Sequence, residues 1–128
     1  LKTPVKFGYP LGDVERVPPR KILTRGIVSR RISTGLVGVN INDATQNFTD
    51  LILSGKKTIE TRSTDSLRPY VGQRVGIVRT GKGSATLVGF AVLGTPKIYT
   101  SRKQFRRDAG KHMVAPDSIF DFRTKVKK

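Results

Sequence analysis

"SGKKTIETRS", Ser54 to Ser63, places two lysines, a glutamate and an arginine directly behind a glycine. Its alternation reads as a β-strand, with Lys57, Ile59 and Thr61 on one face and Thr58, Glu60 and Arg62 on the other. Upstream, "NDATQNFTDLILSG" carries Phe48, Leu51 and Ile52 at i, i+3 and i+4, the stripe of a short amphipathic helix. Asn42 or Asp43 suits its N-cap, and Gly55 is a natural stop. The charges therefore fall at a helix–strand junction. Glu60 and Arg62 fit an ordinary cross-strand pair, and equally the lining of a cleft.

Around this junction the chain reads as strands. "GLVGVNI", Gly35–Ile41, is β-branched and apolar, the pattern of a buried strand. "RPYVGQ" reads as a turn. "RVGIVRT" (Arg74–Thr80) and "SATLVGFAVLG" (Ser84–Gly94) form a hairpin about "GKG". "PKIYT" (Pro96–Thr100) is a short extended piece. Ser101 caps a basic helix, "SRKQFRRDAGKH", which Gly110 is expected to break or end. Ser118–Phe122 reads as a turn or strand. Residues 1–35 are basic and rich in Pro and Gly. They read as an N-terminal arm with a short strand at Lys21–Val28.

Charge is the strongest bulk signal. Twenty-five Lys and Arg stand against nine Asp and Glu, a net charge of +16 over 128 residues. Such a chain attracts polyanions, of which phosphate backbones are the commonest. There is no cysteine and one histidine, so disulfides, thiol chemistry and a protein-only metal site are not expected, nor is a cofactor. His112, in a basic loop, reads as solvated or hydrogen-bonded. No apolar run reaches membrane-spanning length, so no membrane partner is expected. "GIVRTGKGS" (Gly76–Ser84) has the glycine and lysine spacing of a phosphate-binding loop. It puts Gly83 where Ser or Thr should follow, and a strand where a helix should begin. A hairpin turn exposing Lys82 is the better reading. Arg102, Lys103, Arg106 and Arg107 lack balancing acidic neighbours and suit a phosphate-tracking surface.

Gly55-Lys56-Lys57-Thr58-Ile59-Glu60-Thr61-Arg62 resembles the G-x-K-x-x-E-x-R signature of the ASCH domain family, in the PUA-like superfamily of small β-barrels. The order strand, helix ending in "LILSG", signature strand and "VGQRVGIV" is also similar, and the resemblance runs from about Leu36 to Phe122. It implies a mainly β chain with short helices (α+β): a PUA-like small β-barrel over 36–122, a basic arm over 1–35 and a basic tail over 123–128. ASCH domains commonly finish with an aromatic-rich closing strand. The chain has no Trp and ends in "RTKVKK", so either its closing strand is divergent or the product is truncated; a missing strand would leave a sheet edge for a partner or the arm to cover.

The resemblance implies RNA or a modified nucleoside as ligand, with Lys57, Glu60 and Arg62 lining the cleft. Some members resemble RNA-binding modules, and one branch is a ribonuclease. In a ribonuclease Glu60 would take a proton while Lys57 or Arg62 stabilises charge on phosphate. Another branch is an amidohydrolase on N4-acetylcytidine that uses a Thr three residues after the Lys. Here that position is Glu60. The expected function is thus a nucleic-acid-binding domain, RNA first, with ribonuclease activity as its catalytic form. The amidohydrolase and a structural basic protein packed with nucleic acid are the alternatives. Phosphate contacts are expected from Arg68, Arg74, Arg79, Lys82, Arg102, Lys103, Arg106 and Arg107, with Tyr70 or Tyr99 for base stacking. The cytoplasm or a nucleoprotein particle is the expected location.

Overall fold

The computed structural model describes residues 4–22, 29–31 and 35–123. Its strands are β1 (Lys6–Lys21), β2 (Ser29–Arg31), β3 (Val37–Asn42), β4 (Ile59–Arg62), β5 (Arg74–Thr80), β6 (Thr86–Leu93) and β7 (Lys97–Tyr99). Helix α1 is Phe48–Leu53, α2 is Arg102–Arg107 and α3 is Ala109–His112. The strands form one curled, mixed sheet in the order β2-β3-β5-β6-β1-β4, with β7 paired to β1. The chain is mainly β with short helices, as expected, and its half-barrel sheet is consistent with a small β-barrel.

The largest correction is at the N-terminus. Residues 6–21 are not an arm but the longest strand of the sheet, and the one that joins its parts. Phe7–Pro10 pair with Arg62–Ile59 of β4, Lys6–Gly8 pair with Tyr99–Lys97 of β7, and Leu11–Lys21 run along β6. The N-terminal segment thus supplies the partner for β4, β6 and β7. Gly12, Pro18 and Pro19, among the residues that suggested an arm, sit where the ladder slips. One register shift lies between Gly12 and Glu15, where Asp13 has φ +46°, and the next between Arg16 and Arg20, around Pro18 and Pro19. Proline has no N–H for a ladder, so it collects at such irregularities. Residues 23–28, most of the short strand expected at Lys21–Val28, lie outside the described residues.

β5 matches its expected bounds, and β3, β6 and β7 fall within a residue or two of theirs. Gly81 supplies the positive φ (+83°) of the β5–β6 turn. A Cβ there would stand 2.3 Å from the Asn42 side-chain oxygen, so only glycine fits. Gly55, also at φ +83°, ends α1 as expected. The start of α1 differs. Its N-cap position is Asn47, whose side chain makes no capping bond. Asp43 supplies that acceptor from outside the helix, taking Thr49 N–H at 3.0 Å and Thr49 Oγ1–H at 2.5 Å. At α2 the Ser101 hydroxyl accepts Gln104 N–H at 3.1 Å, the expected cap. Helix α2 ends at Arg107, and Gly110 lies inside the following turn α3, not at a break.

The core gathers β-strand residues, α1 and the C-terminal helices into one cluster. Tyr9, Ile52, Leu67, Ala91, Tyr99 and Phe105 are wholly buried in it. Tyr9 comes from β1, so the strand is anchored by packing as well as by its ladders. Phe105 holds the two C-terminal helices to the sheet, stacked on His112 at 4.0 Å and meeting Tyr99 edge-on at 5.2 Å.

Candidate binding site at the open seam

β3 and β4 face each other without pairing among the described residues. β3 pairs with β2 over Val37–Val39 and with β5 over Gly38–Asn42, while β4 pairs with β1. Between them lies a pocket of about 190 Å³ lined by Asn40, Ile41 and Asn42 of β3 and Glu60, Thr61 and Arg62 of β4. Phe48 of α1, Lys57, Ser63, Val114, Phe120 and Lys6 of β1 complete the wall. Arg62 bridges the seam: one Nη donates to the Asn40 carbonyl at 2.6 Å.

The three expected cleft residues meet here. Glu60 lies between two cations, its Oε1 3.7 Å from Lys57 Nζ and its Oε2 3.1 Å from Arg62 Nε. Strict strand alternation had set Lys57 on the opposite face from Glu60 and Arg62. Lys57 precedes β4, in a non-strand segment whose backbone N–H donates to Leu51 O at 2.9 Å, and this turns its side chain inward. Lys57 is 2% exposed, and its ammonium donates to the His112 carbonyl at 2.5 Å and lies 4.8 Å from the centre of the Phe48 ring. Burial lowers the Lys57 pKa, and the Glu60 charge opposes that shift.

Lys6 is a pocket residue that the arm reading missed. It is 8% exposed, and its ammonium donates to the Phe120 carbonyl at 2.5 Å. Burial lowers its pKa too, with Glu60 again opposing. Nothing in "KTPVKFG" marks Lys6, because its position depends on the β1–β4 and β1–β7 ladders. Phe120 and Phe48 meet edge-on at 5.8 Å and give the pocket two aromatic walls. The α1 stripe was legible for Phe48, but as core.

The expected phosphate-binding cations separate into groups. Arg68 pairs with Asp65 at 3.3 Å, Arg74 pairs with Glu15 and lies over the Phe90 ring, and Arg106 bridges Asp117 and Asp121. Lys82 donates to Asn47 Oδ1 at 2.6 Å, beside the start of α1. Arg102 donates to the Phe122 carbonyl at 3.5 Å. Lys103 and Arg107 are exposed and Arg79 half-buried, none with an ion pair among the described residues. Tyr70 is half-buried against the core. Tyr99 cannot stack on a base. It is wholly buried, and its hydroxyl donates to Asp108 Oδ2 at 2.7 Å. Burial and that bond raise the Tyr99 pKa. Burial alone would raise the Asp108 pKa, but the bonds from Tyr99 and Lys97 lower it overall.

His112 belongs to the core beneath this site. Its Nδ1 accepts Val114 N–H at 3.0 Å, so its Nε2 carries the hydrogen donated to the Phe105 carbonyl at 2.7 Å. That is the neutral ring, and burial lowers its pKa from 6.5. The unfolded chain therefore takes the proton more readily than the folded one. Stability from this group is complete above about pH 6.5 and falls as the pH drops toward the folded pKa. Urea melts should show declining stability from about pH 7 to pH 5, with His112→Gln flattening that decline.

No helix among the described residues is long and apolar enough to cross a membrane. Comparison with protein-family models, with curated proteins and with solved structures finds no match.

Proposed function

We propose that this chain is a nucleic-acid-binding domain of ASCH type, with RNA its first partner, and that the seam pocket is its point of specific contact. The observation that carries the reading is the convergence of Lys57 and Arg62 on a single carboxylate, Glu60, in a pocket that Lys6 also lines and that has aromatic walls. The charge of +16 supplies long-range attraction, and the pocket supplies the contact that charge alone lacks.

The activity proposed is binding without cleavage. Both Glu60 oxygens face cations, which suits a group that holds Lys57 and Arg62 in place better than one that receives a proton. His112 has both ring nitrogens engaged in the core, so it is not available as the second acid or base of a cleavage reaction. The amidohydrolase reading gains nothing from the geometry, since Glu60 occupies the place of its threonine.

The exposed cations Lys103 and Arg107 of α2 serve as phosphate contacts. Affinity for single-stranded RNA should fall steeply and linearly on a log–log plot against salt. Lys103→Ala and Arg107→Ala should each reduce that slope by about 0.7, the value for one single-strand phosphate contact. Fluorescence anisotropy titrations at four salt concentrations measure it. Affinity that does not respond to salt would remove the polyanion reading.

A further inference from the structure

The polar groups of the seam pocket come in a definite order. Lys57 lies at one oxygen of Glu60 and Arg62 at the other, so the row reads donor, acceptor, donor. Lys6 adds a further donor. An ammonium has three N–H groups, and Lys6 uses one of them on the Phe120 carbonyl. An ionised carboxylate offers about four lone-pair sites, so Glu60 can accept from a ligand while it keeps its cations. The walls of the same space are Phe48, Phe120, Ile41 and Val114, which suit a flat ring. The volume, about 190 Å³, lies below the roughly 300–1,000 Å³ of pockets for drug-sized ligands, which limits the occupant to about one base.

We propose that this pocket reads one unpaired base with an acceptor–donor–acceptor edge, the edge that uracil and thymine present as two carbonyl oxygens flanking an N–H. The inference rests on the nucleic-acid reading and narrows it. The two carbonyls take donors from the cations, and the ring N–H donates to Glu60. Cytosine and adenine place an amine against a cation, donor facing donor. Guanine offers one carbonyl followed by two donors. Each mismatch sets a donor against a donor in a largely buried row and leaves a base group without a hydrogen bond, the kind of loss that gives hydrogen-bonding sites their discrimination. The row contains nothing that reads the sugar, so uracil in RNA and thymine in DNA are equivalent to it.

The test is anisotropy with the full chain and labelled hexauridylate, hexathymidylate, hexacytidylate and hexaadenylate at one fixed salt concentration, repeated at a second. The uracil and thymine strands should bind about tenfold tighter than the other two, the loss of one charge-assisted hydrogen bond. The salt slopes should be the same for all four, since phosphates set them. Glu60→Gln, which replaces the central acceptor by an amide, should reduce the preference to less than about threefold. If that variant fails to fold, the preference of the unaltered chain decides alone. Equal affinity for uracil and cytosine strands with a steep salt slope would overturn the base assignment and leave nucleic-acid binding intact. No binding to any strand at low salt would remove both.

Discussion

A chain trimmed to residues 36–122, the bounds that the sequence suggests for the barrel, should not fold. β4 and β7 pair only with β1 among the described residues, so both would lose their ladders. β6 would lose its partner over Leu11–Lys21 and expose a long edge. Tyr9 would leave the centre of the core, and Phe7, Leu11 and Val14 would leave its margin. Deleting one buried aromatic side chain costs about 3–5 kcal/mol, and whole domains are stable by only about 5–15 kcal/mol. Removing the strand takes away that one buried aromatic, three partly buried apolar side chains and the ladders to β4, β6 and β7 together, which exceeds what the remainder can supply. Circular dichroism of the trimmed chain should show no cooperative thermal transition, while the 128-residue chain melts in one step. A trimmed chain with a sharp melt and native near-ultraviolet signal would show that β1 is an accessory after all.

The second large effect should come from Glu60→Ala. The Lys57 side chain is 1% exposed and the Arg62 side chain 15%, so water compensates neither well. Removing the carboxylate leaves two largely buried cations facing each other, with Lys6 on the same pocket wall. Breaking a buried ion pair from one side costs about 3–5 kcal/mol, because the remaining charge has no partner. Lys57→Met should cost less. Methionine fills a similar volume against the Phe48 ring, and the substitution removes a buried charge instead of orphaning one. Urea melts of the two variants measure the difference. A Glu60→Ala cost below about 1 kcal/mol would mean that the cluster is solvated, as surface pairs are.

The parts of the fold that were legible depend on local rules. β3 and β5 show as β-branched runs, Gly81–Gly83 as a hairpin turn, Gly55 and Ser101 as helix punctuation. Each follows from a few neighbouring residues. What was not legible depends on distant pairing. β1 looks irregular because Pro10, Pro18 and Pro19 break its pattern, and only the partners in β4, β6 and β7 make it a strand. Lys6 entered the pocket by that route. The signature residues Lys57, Glu60 and Arg62 were legible as a cleft through a resemblance, whereas simple alternation separated Lys57 from the other two. Tyr99 was misplaced for a related reason. An alternating strand does not tell which face α2 will cover, and Phe105 and Asp108 cover the face that carries its ring.

Where a strand of RNA touches the protein separates a specific site from a basic surface most directly. Photocrosslinking with a short single-stranded RNA carrying 4-thiouridine, followed by mass spectrometry of the peptides, reads this without any substitution. Crosslinks on Phe48, Phe120 or the residues beside them in the seam pocket are the predicted result. Crosslinks confined to α2 and the β5–β6 turn, with none in the pocket, would contradict it and make the chain a basic surface without a specific site.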